Sequence, residues 1–262
     1  MRSLPAALGF AIRLGLAAPA GALANGSGSA SGSASVSPGE CRVIDGGDLS
    51  LGHIDAATRI RFLQHSFRHA ARRARVWSWT WAGAFTALTV GQLALSPAYP
   101  ADARVDLYVG AASSLVGVLS LVVLPMRVMG DQRRFDARLA EAPADADLCA
   151  LLADGERRLL RDAASERDGQ SGLLHAGNML LNIAAGLVLG IGFHRWSSAL
   201  LNIFGGSAVG EVMLLTQPTE AVKLLSRYRR GDLSSRPAPE PVWSLAPDLG
   251  PNQIGLRFTV NY

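Results

Sequence analysis

An all-α membrane protein is the fold class this sequence predicts, with four transmembrane helices arranged as two antiparallel hairpins, a small helical extramembrane cap and a C-terminal β-hairpin or strand. Three observations predict it. Hydrophobic residues make up 49% of the 262-residue chain and charged residues only 18%, and the excess gathers into four windows, 77–95, 107–126, 173–193 and 196–215. Each window is 19 to 21 residues long, and a helix rising about 1.5 Å per residue needs about 20 residues to cross a hydrocarbon core of roughly 30 Å. The first two windows hold no Asp, Glu, Lys, Arg or His, so they lack the polar stripe that a helix of a soluble bundle keeps for water. Gly and Ala occur in every window and Ser in three of the four, as suits helices that approach closely in lipid.

Residues 1–24 read as a signal peptide, with Arg2 at the start, an apolar run interrupted by Arg13, and the small-residue cleavage pattern Ala22-Leu23-Ala24. Residues 25–40 form a Gly/Ser linker too poor in apolar side chains to offset the entropy of ordering. The 41–75 region is predicted to be an amphipathic basic helix. From 54 to 75, Ile60, Leu63, Phe67 and Ala71 share one face and Arg59, Arg68, Arg72 and Arg75 the other. That helix is expected to lie on lipid headgroups, or to pack on the middle loop, before the chain turns into the bilayer. Trp77, Trp79 and Trp81 follow at the interface, where an indole has an apolar face and a polar N–H.

Residues 76–129 make the first hairpin, turned by Pro97 and Pro100, with Gln92 expected to hydrogen-bond near Gly110 or Ser113. Residues 130–172 form the charged helical cap. The connection 127–172 holds eight arginines and ten acids, and Leu148, Leu151, Leu152, Leu159 and Leu160 mark one apolar side of a helix that also carries an Asp154–Arg158 pair. Packing of this cap on the 54–75 helix would bring together Cys41 and Cys149. Without CxxC spacing these two are not a zinc site, and they read either as one disulfide of an exported protein or as two unrelated buried thiols.

Residues 173–217 make the second hairpin, turning near residue 195, and 218–262 hold a basic helix end, a Pro-rich linker and a terminal β-hairpin. In that tail Ile254, Leu256, Phe258, Val260 and Tyr262 alternate with polar or small residues, and the segment is expected to pair with 241–246 across a turn at 247–253.

The second hairpin carries the candidate site. A turn near residue 195 sets Glu211 opposite residue 179, within one turn of His175, Asn178 and Asn182, whose spacing of three and four gives one stripe. A carboxylate in lipid must be neutralised or hydrogen-bonded. The cluster therefore either fixes the register of the hairpin or serves as a proton or ion relay, and the register role carries more weight. Gly186-x-x-x-Gly190 and Gly206-x-x-x-Gly210 are small-residue grooves, and in the same register Gly186 faces residue 204, beside Gly206.

No P-loop, dinucleotide fingerprint, HExxH, GxSxG or paired catalytic carboxylates occur in the chain, so no enzyme, cofactor or metal is expected. The net charge of +4 rests on arginines flanking apolar spans, a placement that fits lipid headgroups rather than nucleic acid. Those arginines, by the positive-inside rule, would put the termini and the middle loop in the cytoplasm, whereas cleavage after Ala24 would export them. The export reading is adopted. It gives a bacterial inner-membrane protein with a periplasmic cap and a structural or interaction role, meeting the lipid bilayer and either envelope proteins or further copies of itself. The alternative is a small transporter or channel subunit using the Glu/His/Asn cluster.

Overall fold

In the computed structural model, residues 41–234 are described in full, and Val242–Gly250 and Gln253–Asn261 by their backbone. The expected signal peptide and Gly/Ser linker lie outside the described residues. Residues 41–234 are entirely helix and turn.

The longest helix, α1, starts where the Asp55 carboxylate accepts the Thr58 N–H at 2.9 Å. It runs without a break from Ala56 to Leu95, 40 residues, or about 60 Å at the rise of an α-helix. This corrects the expectation of a helix lying on the headgroups before the chain turns. The junction Ala70-Ala71-Arg72-Arg73-Ala74 is made of strong helix formers, and no proline interrupts it. The basic helix and the first apolar window are one rod. It ends at Pro97, in a short turn of 3₁₀ helix.

The antiparallel partner of its second half is α2, Arg104–Val123, and the register is set by glycines that receive side chains. Gln92 sits against Gly110, as the sequence suggests, and Phe85 fills the space over Gly117. Pro125 ends α2, and α3, Arg127–Ala140, follows it. Then α4, Leu148–Gly169, begins at Asp147, whose carboxylate accepts the Cys149 and Ala150 N–H groups. The last helices are α5 (Gly172–Leu187), α6 (Trp196–Leu201), α7 (Ser207–Leu215) and α8 (Glu220–Arg229). Single π-turns extend α5 over Val188–Gly192 and join α6 to α7 over Asn202–Gly206.

Three stretches are long and apolar enough to cross a membrane: Arg104–Ala140, Gly172–Gly192 and Trp196–Arg229. The 77–95 half of α1 is less apolar, because its tryptophans, threonines and Gln92 dilute the aliphatic side chains. Apolar side chains on the three stretches point outward, among them Val123 (70% exposed), Leu201 (75%) and Phe204 (70%).

The buried core lies at one end. Leu63 and Phe67 of α1 pack against Phe135 of α3, Leu152 and Leu159 of α4, and Leu224 and Tyr228 of α8, with Phe67 and Phe135 edge to face at 5.6 Å. Two expectations change here. Arg59 is not on an outer polar face: it stands four and eight residues before Leu63 and Phe67, and so shares their stripe, and it is fully buried. Leu148, placed on the apolar side of α4, is 47% exposed. The Asp154–Arg158 pair forms at 2.8 Å.

Strands β1 (Val242–Gly250) and β2 (Gln253–Asn261) pair antiparallel, Val242 opposite Asn261. The turn is tighter than the expected seven-residue connection, because Pro247, Asp248 and Leu249 lie within β1.

Candidate functional site

The site begins with a stripe on α5. His175, Asn178 and Asn182 project toward the helix opposite, where Gly206 at the end of the π-turn and Gly210 of α7 leave room for the two asparagines. Asn182 occupies the space where a Cβ on Gly206 would stand, and Asn178 the space of a Cβ on Gly210. The glycines therefore act as sockets for amide side chains, not as a smooth groove against a facing glycine. The same holds on α5, where Gly186 receives Ile203 and Gly190 receives the Trp196 ring. Gly186 thus faces Ile203, next to the expected residue 204, while the space over Gly206 is taken by Asn182. The turn falls at residues 194–195, as expected; there His194 adopts a left-handed conformation, φ 57°, and a π-turn stands in the chain on each side of it. Glu211 lies against His175 and Asn178, within one turn of the level expected from a bend near residue 195.

Around Glu211 the structure joins three of the four residues directly. His175 Nδ1 stands 2.5 Å from Glu211 Oε2, and Asn178 Nδ2 donates to Glu211 Oε1 at 2.9 Å and to the Ser207 carbonyl at 3.0 Å. Both carboxylate oxygens thus have partners. Asn182 does not reach Glu211; it donates to the Asn178 carbonyl at 2.9 Å and to Asn178 Oδ1 at 3.1 Å.

Asn182 also lines a cavity of about 450 Å³ between the two helix pairs, with Gln92, Ser113, Ser114 and Asn202 among its walls. Asn202 Oδ1 is buried there without a hydrogen-bond partner among the described residues. At the far end of this cavity stand Asp106 and Ser198. Asp106 accepts a two-pronged bond from Arg195, at 2.6 and 2.7 Å, and a third from the Ser198 hydroxyl at 2.8 Å. This clasp joins the start of α2 to the turn between α5 and α6. Sequence reasoning missed it, although one acid and one arginine at the ends of adjacent apolar windows are a signal for it. At the cap end, Trp77 and Trp81 both donate to Thr216 Oγ1, at 3.3 and 3.2 Å. Trp79, two residues away on the opposite face, is 77% exposed.

The cap holds a second polar cluster that sequence reasoning also missed. Arg59 donates to Glu156 at 2.5 Å, to the Tyr228 hydroxyl at 2.9 Å and to the Leu51 carbonyl at 3.4 Å. Tyr228 donates to the same Glu156 oxygen at 2.6 Å, and burial together with that carboxylate raises the phenol well above its ordinary range. One charge-neutral triad therefore ties α1, α4 and α8. Beside it, burial pushes the Asp162 carboxyl up to about 8, with the Asp131 carboxylate adding to the effect, and burial raises Glu166 to about 7. Cys41 and Cys149 are joined in a disulfide, Cα to Cα 5.2 Å, closing 108 residues of chain. Among the described residues no group of three or more His, Cys, Asp or Glu side chains could hold a metal ion.

No family model, curated protein or solved structure matches the chain.

Proposed function

We propose that the chain is a four-span protein of the bacterial inner membrane, with a structural or interaction role in the cell envelope exercised through its cap. The second half of α1 is the first span, paired with α2, and α5 pairs with α6 and α7. The observation that carries this reading is that every apolar stretch leads into one buried helical core built from the first half of α1, α3, α4 and α8. A cap locked by an Arg–Glu–Tyr triad and a disulfide is a rigid platform, suited to holding partners rather than to cycling between states. The disulfide supports an oxidising, periplasmic side for the cap. A reporter active only in the periplasm, fused after Tyr262, tests the orientation: signal is expected there, and signal from a cytoplasm-only reporter instead overturns it.

A second reading, a small transporter or channel subunit, draws support from the polar series running from Glu211 and His175 through Asn178 and Asn182 to the cavity and on to Asp106. Glu211→Gln separates the two. Register-fixing hydrogen bonds largely survive that change, whereas proton coupling does not, so a proton flux in proteoliposomes that is present in the wild type and abolished by Glu211→Gln favours transport. Flux that is absent, or unchanged by the variant, favours the structural role.

A further inference from the structure

Where α1 leaves the cap for its apolar half, a cavity of about 720 Å³ opens against α2, α3 and α4. Its two walls differ in chemistry. One is apolar, formed by Trp79 and Ala82 of α1 with Leu121 and Val122 at the end of α2. The other is basic, with Arg75, Arg127, Arg133, Arg134 and Arg161 converging from three helices. Pro125 sets the boundary between the walls: it ends the apolar helix and lets α3 restart with Arg127 at its first position.

Charge balance inside the cavity favours an anion. The single carboxylate on its wall, Asp131, is buried and already accepts from Arg158 at 3.0 Å and Arg134 at 3.4 Å. Arg127 and Arg161 form no ion pair among the described residues and are exposed. Among the described residues Arg75 has only a long bond to Gln132, 3.4 Å, and Arg133 only a bond to the Met129 carbonyl, 3.3 Å. In addition, Met126 offers no side-chain cap to the start of α3, so the amide groups and positive dipole end of that helix add to the basic wall.

We propose that this cavity binds one anionic phospholipid, its phosphate held by Arg127 and Arg161 with Arg75 beside them, and an acyl chain lying along Trp79, Leu121 and Val122. The proposal rests on the membrane reading above. Guanidinium groups pair with phosphate through planar, two-pronged hydrogen bonds. The exposed Trp79 stands one helical turn after Arg75, at the level where headgroup gives way to hydrocarbon. A soluble anion would use the basic wall alone and leave the apolar wall uncovered, whereas a phospholipid covers both.

The test uses the full chain purified in mild detergent, with native mass spectrometry of added phosphatidylglycerol or phosphatidylcholine. The wild type is expected to retain one phosphatidylglycerol in preference to phosphatidylcholine. Arg127→Gln combined with Arg161→Gln, which removes no ion pair among the described residues, is expected to weaken that retention about tenfold while leaving the melting temperature unchanged. Equal retention of the two lipids, or of phosphatidylglycerol by wild type and variant, overturns the site. So does displacement of the lipid by excess inorganic phosphate, which would identify the phosphate ion as sufficient. A melting temperature lowered by the double substitution also counts against it, because the arginines would then be structural. If the wild type never enters membranes, the four-span reading fails instead, and the two failures are told apart by fractionating the cells before extraction.

Discussion

Removing Glu156 is the sharpest perturbation of the cap. Arg59 is fully buried, and among the described residues its charge is matched only by Glu156, which also accepts the Tyr228 hydroxyl. Glu156→Ala leaves a guanidinium in the core without a counter-charge, which costs about 3–5 kcal/mol when one partner of a buried pair is removed. For a chain of this size each kcal/mol shifts the melting temperature by about 2–4 °C, so a fall of roughly 10 °C is expected. The assay is thermal unfolding of the detergent-solubilised protein, with hydrogen exchange over residues 56–75 as a local readout. The same logic predicts a recovery. Arg59→Met, Glu156→Leu and Tyr228→Phe together remove every buried polar group of the triad, and a packed apolar replacement is close to neutral. A melting temperature within 1–2 °C of the wild type for Glu156→Ala, about the shift of half a kcal/mol, would refute the reasoning. So would a triple variant as unstable as the single one.

Further expectations concern other parts of the fold. Asp162 and Glu166 titrate higher in the folded protein, about 8 and about 7, than in the unfolded chain, where carboxyls titrate near 4. The folded state therefore holds extra protons between these limits, and stability is full near pH 4 and lost as pH rises toward 8. Asp162→Asn should flatten the melting temperature measured from pH 5 to 8.5, and an unchanged slope would count against the burial argument. Gly210→Ala displaces Asn178 from its bonds to Glu211 and Ser207, each worth about 0.6–1.7 kcal/mol in a membrane. Gly177→Ala enters open space and should be neutral; equal effects in unfolding assays would deny the socket role. Reducing the Cys41–Cys149 bond frees a loop of 108 residues and by the chain-entropy argument costs at most about 4–5 kcal/mol. A melting temperature insensitive to reductant would exclude a stabilising link.

Much of this architecture could be read from residue patterns. The lengths of the apolar windows, the stripe His175, Asn178 and Asn182, and the seat of Gln92 against Gly110 all follow from helical period and from the cost of burying polar groups in lipid. The Arg59 triad did not emerge, because a single arginine among six in 54–75 reads as one more solvated charge; only its spacing to Leu63 and Phe67 marks it as inward. The register of the second hairpin was legible to within one helical turn, as the contacts of Glu211 with His175 and Asn178 show; the π-turns and the left-handed residue at the bend carry no periodic signature and were not. The continuity of α1 was missed for a different reason. The tryptophan cluster suggested an interface where the chain turns, yet Trp77 and Trp81 bond to Thr216 while only Trp79 faces outward.

The central claim is that lipid surrounds the apolar helices, and alkaline washing of cell membranes followed by ultracentrifugation without detergent tests it most directly. The account predicts that the full chain stays with the pellet through the wash and is released only by detergent. Recovery of folded protein in the supernatant would contradict it.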